Sequence, residues 1–216
     1  MNRRLQYALA IAGAVAALLP QSASAADIMA SASPVNGDVK LNWTGGTAPY
    51  LVQGATQLNG EWIDIVTTSG NEVTIPAVGP AVFLRVQDGT TKTVRLFKAN
   101  INAAQEVASP AVVSPATGKG FFSINGLNAF YYISFEGTVG NVTASHLHNA
   151  PEGTNGGVMF HLLPSPNFLQ NTRGGIITGE KVLTAAQLTE IENGRTYVNI
   201  HSTAYGGGEL RGQLLP

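Results

Sequence analysis

The 216-residue chain contains no cysteine. Disulfides are therefore excluded, and so is any metal site built on thiolate. An ion could be held only by imidazole, carboxylate, thioether or backbone oxygen. Charge is scarce as well: Asp, Glu, Lys and Arg make up 12% of the sequence. No basic stripe exists, which argues against a nucleic-acid partner. Beyond the N-terminus, no apolar run approaches the ~20 residues that a membrane-spanning helix needs. There is no Gly-x-Ser-x-Gly elbow and no evident pair of catalytic carboxylates, so a hydrolase is poorly supported and no catalytic residue is assigned.

The one apolar run lies at the start. Asn2-Arg3-Arg4 is basic. Tyr7 to Leu19 is apolar for roughly a dozen residues, short for a membrane span. Pro20 ends the run, and Ala23-Ser24-Ala25 has the small-x-small cleavage pattern. This predicts a secretory signal peptide over residues 1–25, with a mature chain starting at Ala26 or Asp27. Removing Arg3 and Arg4 leaves 10 basic against 13 acidic residues, a net charge near −3 with His neutral. The expected location is secreted or periplasmic.

What is abundant is strand and turn material. The chain has 25 glycines, with recurrent Val, Thr and aromatic residues. That profile predicts an all-β protein of two β-sandwich-like domains, at residues 26–98 and 99–216. In the first, Val39 to Trp43 alternates apolar and polar residues, as a strand with one buried face does. Further strands are expected at Tyr50–Gln53, Glu61–Val66, Val73–Pro76 and Ala81–Val86, and Asp88-Gly89 is expected to form a hairpin into Lys92–Phe97. The Leu-x-Trp strand, the second Trp and the Phe-x-Arg-Val strand resemble a fibronectin type III-like module. Trp43 and Trp62 are expected in its core.

In the second domain, strands are expected at Gly120–Ile124, Phe130–Gly137, Thr143–His148, Gly157–Leu163, Thr196–His201 and Glu209–Leu214. One helix is expected after Thr184, which can cap it with Gln187 as the capping-box partner and Gly194 past the last turn.

All four histidines fall in this domain: His146, His148, His161 and His201. Side chains alternate faces along a strand, so His146 and His148 share a face and Leu147 points oppositely. Their Cα atoms should lie roughly 6.5–7 Å apart, near enough to converge on one ion. His161 stands opposite Phe160 and Leu162. His201 stands opposite Val198 and Ile200, beside Asn199. Three strands each offering His from one face can assemble a site of three or four nitrogens. Imidazole suits copper and zinc, and copper stands highest in the divalent series, so copper is the first expectation and zinc the second. Glu209 is expected to orient an imidazole from behind. Ser145 must face away from its neighbour His146, so the two cannot pair as nucleophile and base.

Five stretches carry a more specific likeness. They are Gln105-Glu106-Val107, Ala144-Ser145-His146-Leu147-His148, Leu183 to Leu188, Tyr197 to His201, and Gly208 to Gln213. In that order they resemble a CHRD domain, a module of secreted proteins, from about Phe97 to Pro216. One departure is Asn149, where the family usually has Gly. The resemblance implies fold and location more than activity. A fainter likeness is to Cu/Zn superoxide dismutase, in the order His-x-His, a later His, a strand ending in His, then Gly-rich chain and Arg. It implies His146, His148, His161 and His201 as copper ligands and Arg211 as an anion-guiding residue. The zinc loop and the disulfide of that family are missing, so a binding protein is expected rather than an enzyme. The alternative is a metal-free module that recognises an extracellular protein or glycan through Glu152–Asn155 and Asn167–Gly175.

Overall fold

The computed structural model describes residues 6–11, 14–15, 27–79, 81–164 and 172–216. The described residues are all-β apart from one α-helix and a 3-10 turn, and the chain divides into two compact units, Met1–Arg95 and Leu96–Pro216.

The first unit contains β1 (Gln6–Ile11), β2 (Ala14–Val15), β3 (Met29–Val35), β4 (Asp38–Thr44), β5 (Tyr50–Ala55), β6 (Ile63–Thr68), β7 (Glu72–Pro76) and β8 (Ala81–Gln87). One sheet has the order β2-β1-β8-β5-β6 and the other β3-β4-β7. Leu41, Trp43, Val52, Ile65, Ile75, Leu84 and Val86 are buried. Trp43 meets Tyr50 edge-on at 5.4 Å, a core contact as expected.

Several expectations need correction here. The expected strand at Val39–Trp43 is β4, and an unforeseen strand, β3, precedes it, joined by Asn36-Gly37, with φ of 49° and 75°. Both central residues are left-handed, the pattern of a type I′ hairpin. Trp62 is half-buried rather than core, with the Arg85 guanidinium 4.1 Å above its ring. Asp88-Gly89 makes no hairpin. Instead the turn folds back locally, with Gly89 N–H on Thr47 O at 3.0 Å and Thr90 N–H on Pro49 O at 3.2 Å. Two strands also come from the stretch expected to stand outside the fold, as β1 pairs with β8 from Gln6↔Val86 to Ile11↔Ala81. An open strand edge accepts such pairing readily. The Ala23-Ser24-Ala25 pattern lies outside the described residues.

The second unit is built on β9 (Val94–Asn102), β10 (Thr117–Asn125), β11 (Asn128–Glu136), β12 (Val142–Asn149), β13 (Gly157–His161), β14 (Gly174–Val182), β15 (Thr196–Ser202) and β16 (Leu210–Gln213). They form one sheet in the order β13-β12-β15-β16-β9-β10-β11-β14. α1 (Ala185–Glu192) follows β14, and Thr184 and Gln187 form the expected capping box. β14 is an unforeseen strand, paired with β11 over nine residues. Of the surface expected at Asn167–Gly175, the first five residues lie outside the described residues, and Gly174 and Gly175 belong to β14.

One face of this sheet is the core. Phe122, Ile124, Ile133, Leu147, Leu162, Ile177, Val198, Ile200 and Leu210 have no exposed surface, and α1 contributes Ile191. Burying each such side chain is worth about 1.5–3 kcal/mol, so these residues fix which way every strand faces. Once Leu147, Val198 and Ile200 point inward, residues 146, 148, 199 and 201 must point to the other face.

Candidate metal site

That other face carries the histidines. β12 lies between β13 and β15, and His146 pairs across to His161 on one side and Asn199 on the other. His148 pairs with Tyr197, and His201 with Ala144, one pleat from His146. A register shift between Leu147 and His148 in the β12–β13 pairing marks a bulge, a feature that re-aims side chains.

His146, His148 and His201 each offer a nitrogen, and the three nitrogens all lie within 4.8 Å of one another. Hydrogen bonds show which nitrogens are free. His148 Nδ1 is 3.0 Å from the Gly156 carbonyl, and His201 Nδ1 is 3.0 Å from the Gly206 carbonyl. A carbonyl only accepts, so each Nδ1 carries the proton and each Nε2 keeps its lone pair. His146 Nδ1 lies 3.0 Å from His201 Nε2. His148 Nε2 is buried with no hydrogen-bond partner. A buried polar atom left in this way is costly unless something else satisfies it.

All three imidazoles are poor bases. His146 falls to about 4, first through burial and then through repulsion from His201, His161 and His148. Burial also lowers His148, helped by the Arg211 charge and opposed by the Gly156 hydrogen bond. Burial lowers His201 against the pull of the Gly206 carbonyl, and His148 adds to the lowering. At neutral pH all three rings are therefore uncharged, the state in which an imidazole can ligate a metal.

His161 stands apart from the three. Its ring centroid is 4.7 Å from that of His146, nearly perpendicular, and the residue is exposed. It lies at the solvent side, outside the group whose nitrogens converge.

Two further expected site residues make their hydrogen bonds away from the imidazoles. Glu209 touches no imidazole among its hydrogen bonds. It accepts from Ser114 Oγ at 2.6 Å, from Val139 N–H at 2.6 Å and from Ser202 Oγ. Burial alone would raise its carboxyl, but these bonds and the Gly140 backbone outweigh that and hold it low. The imidazoles are oriented by backbone carbonyls of Gly156 and Gly206 instead. Arg211 is 1% exposed. It donates to Asn155 Oδ1, Pro151 O and Thr154 O, clamping the 151–155 turn. Ser145 is fully buried and donates to Asn199 O, facing away from His146 as expected.

Tyr197 and Asn199 were not singled out as site residues. Tyr197 is stacked on the His148 ring, with centroids 4.9 Å apart and planes within 11°. Asn199 Nδ2 donates to Glu106 Oε1 at 2.5 Å and to Leu210 O at 3.2 Å. The available signal was parity, since residues 197, 199 and 201 of one strand share a face.

The CHRD domain family matches residues 97–214, more than half of the chain. The chain belongs to the CHRD family. No curated protein and no solved structure matches it. The CHRD segment contains the whole histidine cluster, and each stretch that suggested the likeness lies within the match. In this CHRD domain, Gln105-Glu106 and the strands that carry His148, His201 and Gln213 come together around one polar face. Gln105 Oε1 accepts from Gln213 N–H at 3.3 Å, and Glu106 reaches Asn199.

Proposed function

We propose that this is an exported CHRD protein that binds one transition-metal ion, copper before zinc. The ligands are His146, His148 and His201, with His161 beside them as a fourth. The observation that carries the reading is the buried His148 Nε2, which lacks a protein partner while two other imidazole nitrogens lie within 4.8 Å. The donor set supports it. Three neutral nitrogens and no thiolate suit copper and zinc rather than calcium or magnesium. The carbonyl bonds on His148 and His201 supply the second-layer support that ligating histidines usually have.

The likeness of the ligand order to Cu/Zn superoxide dismutase belongs to this proposal, as does the fibronectin type III-like reading of the first unit. So does secretion or periplasmic location, supported by the leader pattern of residues 1–25 and by the family. Among the described residues no helix is long and apolar enough to cross a membrane. The role is binding, carriage or sensing of the metal rather than catalysis.

Titration of the purified protein should load about one Cu(II) per chain, with a nitrogen-dominated EPR spectrum. His146→Ala and His201→Ala should each remove that signal. Full retention in both variants defeats the site. Failure of the wild type to take up copper or zinc leaves a metal-free module that binds an extracellular protein or glycan. A superoxide-consumption assay on the loaded protein tests the enzymatic version separately.

A further inference from the structure

Arg211 is the largest fully buried side chain among the described residues, and it is charged. Its hydrogen bonds go to Asn155 Oδ1 at 3.3 Å, Pro151 O at 3.2 Å and Thr154 O at 2.9 Å. All three acceptors are neutral. A buried guanidinium ordinarily takes a carboxylate partner, because a lone charge is expensive to desolvate. The carboxylate that feels Arg211 is Glu106, but it accepts its hydrogen bond from Asn199. Burial raises Glu106 to about 7 in spite of Asn199 and Arg211, so near neutrality it cancels the cation only in part.

The cation is also aimed. Its guanidinium carbon lies 3.6 Å from the Tyr197 ring centroid. Tyr197 is in turn stacked on His148 at 4.9 Å. Cation, phenol and imidazole therefore form a column that ends on a ligand ring.

We propose that Arg211, buried behind Tyr197 and His148, biases the histidine site toward a monovalent ion, Cu(I), over divalent ions. The inference rests on the metal-binding reading above. Repulsion scales with the charge of the bound ion, so a fixed cation opposes a divalent ion by one unit more than a monovalent one. At a separation on the order of 10 Å and an effective dielectric near 20, one unit of charge amounts to roughly a tenfold change in relative affinity. Zn(II) and Cu(II) share the same charge and should suffer alike. A purely structural clamp makes a different forecast: loosening the 151–155 turn would weaken every ion together.

The experiment measures dissociation constants of the full chain for Cu(I), Cu(II) and Zn(II) by competition with chromophoric chelators, under reductant for Cu(I). The reading is the ratio of divalent to monovalent constants. In Arg211→Met that ratio should fall roughly tenfold relative to wild type, for both Cu(II) and Zn(II). Arg211→Gln, which keeps a polar amide at the position, is the second neutral variant and should shift it likewise. Arg211→Lys keeps the charge and should keep the ratio. An unchanged ratio in the neutral variants overturns the inference, even if all three ions bind more weakly. Absence of metal binding in the wild type is a separate result, which removes the underlying site.

Discussion

His146 is the residue on which pH should act most visibly. Its folded pKa of about 4 lies below the ordinary value of 6.5. Between those values the unfolded chain binds the proton more readily. The stability of the metal-free protein is thus fully present above about 6.5 and is lost as pH falls toward 4. Glu106 has the opposite sign. Its folded pKa is raised from 4.5 to about 7, so its contribution is present below 4.5 and fades as pH rises through 7. Urea midpoints of the metal-free protein, taken from pH 4.5 to 7.5, should separate the two. Glu106→Gln should steepen the loss of stability toward acid, because the opposing slope is gone. His146→Phe should flatten it. Identical pH profiles for wild type and both variants would contradict these assignments.

At the scale of elements, the site depends on a turn as much as on strands. Gly156 supplies the carbonyl that holds His148, and a Cβ there would fall onto the Asn149 carbonyl oxygen. Gly156→Ala must therefore displace backbone beside a ligand. Copper affinity should fall at least tenfold, with a stability loss of about 1–3 kcal/mol from backbone strain. Wild-type affinity in that variant would show that the turn does not position His148. The helix offers a contrasting case. Thr184→Ala removes one half of the capping box and should cost about 1 kcal/mol by urea melt, with copper affinity unchanged. That helix was readable because its cap, its apolar spacing and its terminal glycine lie within a dozen residues. β14 was not readable, since Gly174–Val182 opens on two glycines and its place beside β11 is a long-range choice.

For the whole molecule, the division between Arg95 and Leu96 places the entire histidine cluster in one compact unit. Residues 94–216, which keep β9 intact, should fold alone with a single cooperative transition and bind copper as tightly as the full chain. Aggregation of that fragment, or a metal affinity weaker by more than tenfold, would tie the site to the first unit. Export makes its own forecast. N-terminal sequencing of the protein recovered outside the cytoplasm should start at Ala26 or Asp27.

Alternation along each strand was enough to place His146, His148 and His201 on the face opposite Leu147, Val198 and Ile200. Parity is a local property, and burial of the apolar partners enforces it. The same logic read Ser145 correctly, and the capping-box pattern named the helix cap. Pattern could not say which strands lie side by side, because pairing is settled by the cooperative closure of the whole sheet. That closure put Glu209 among Ser114 and Ser202 rather than behind an imidazole. It turned Arg211 inward onto Tyr197, and it delivered the carbonyls of Gly156 and Gly206 to the ligand rings.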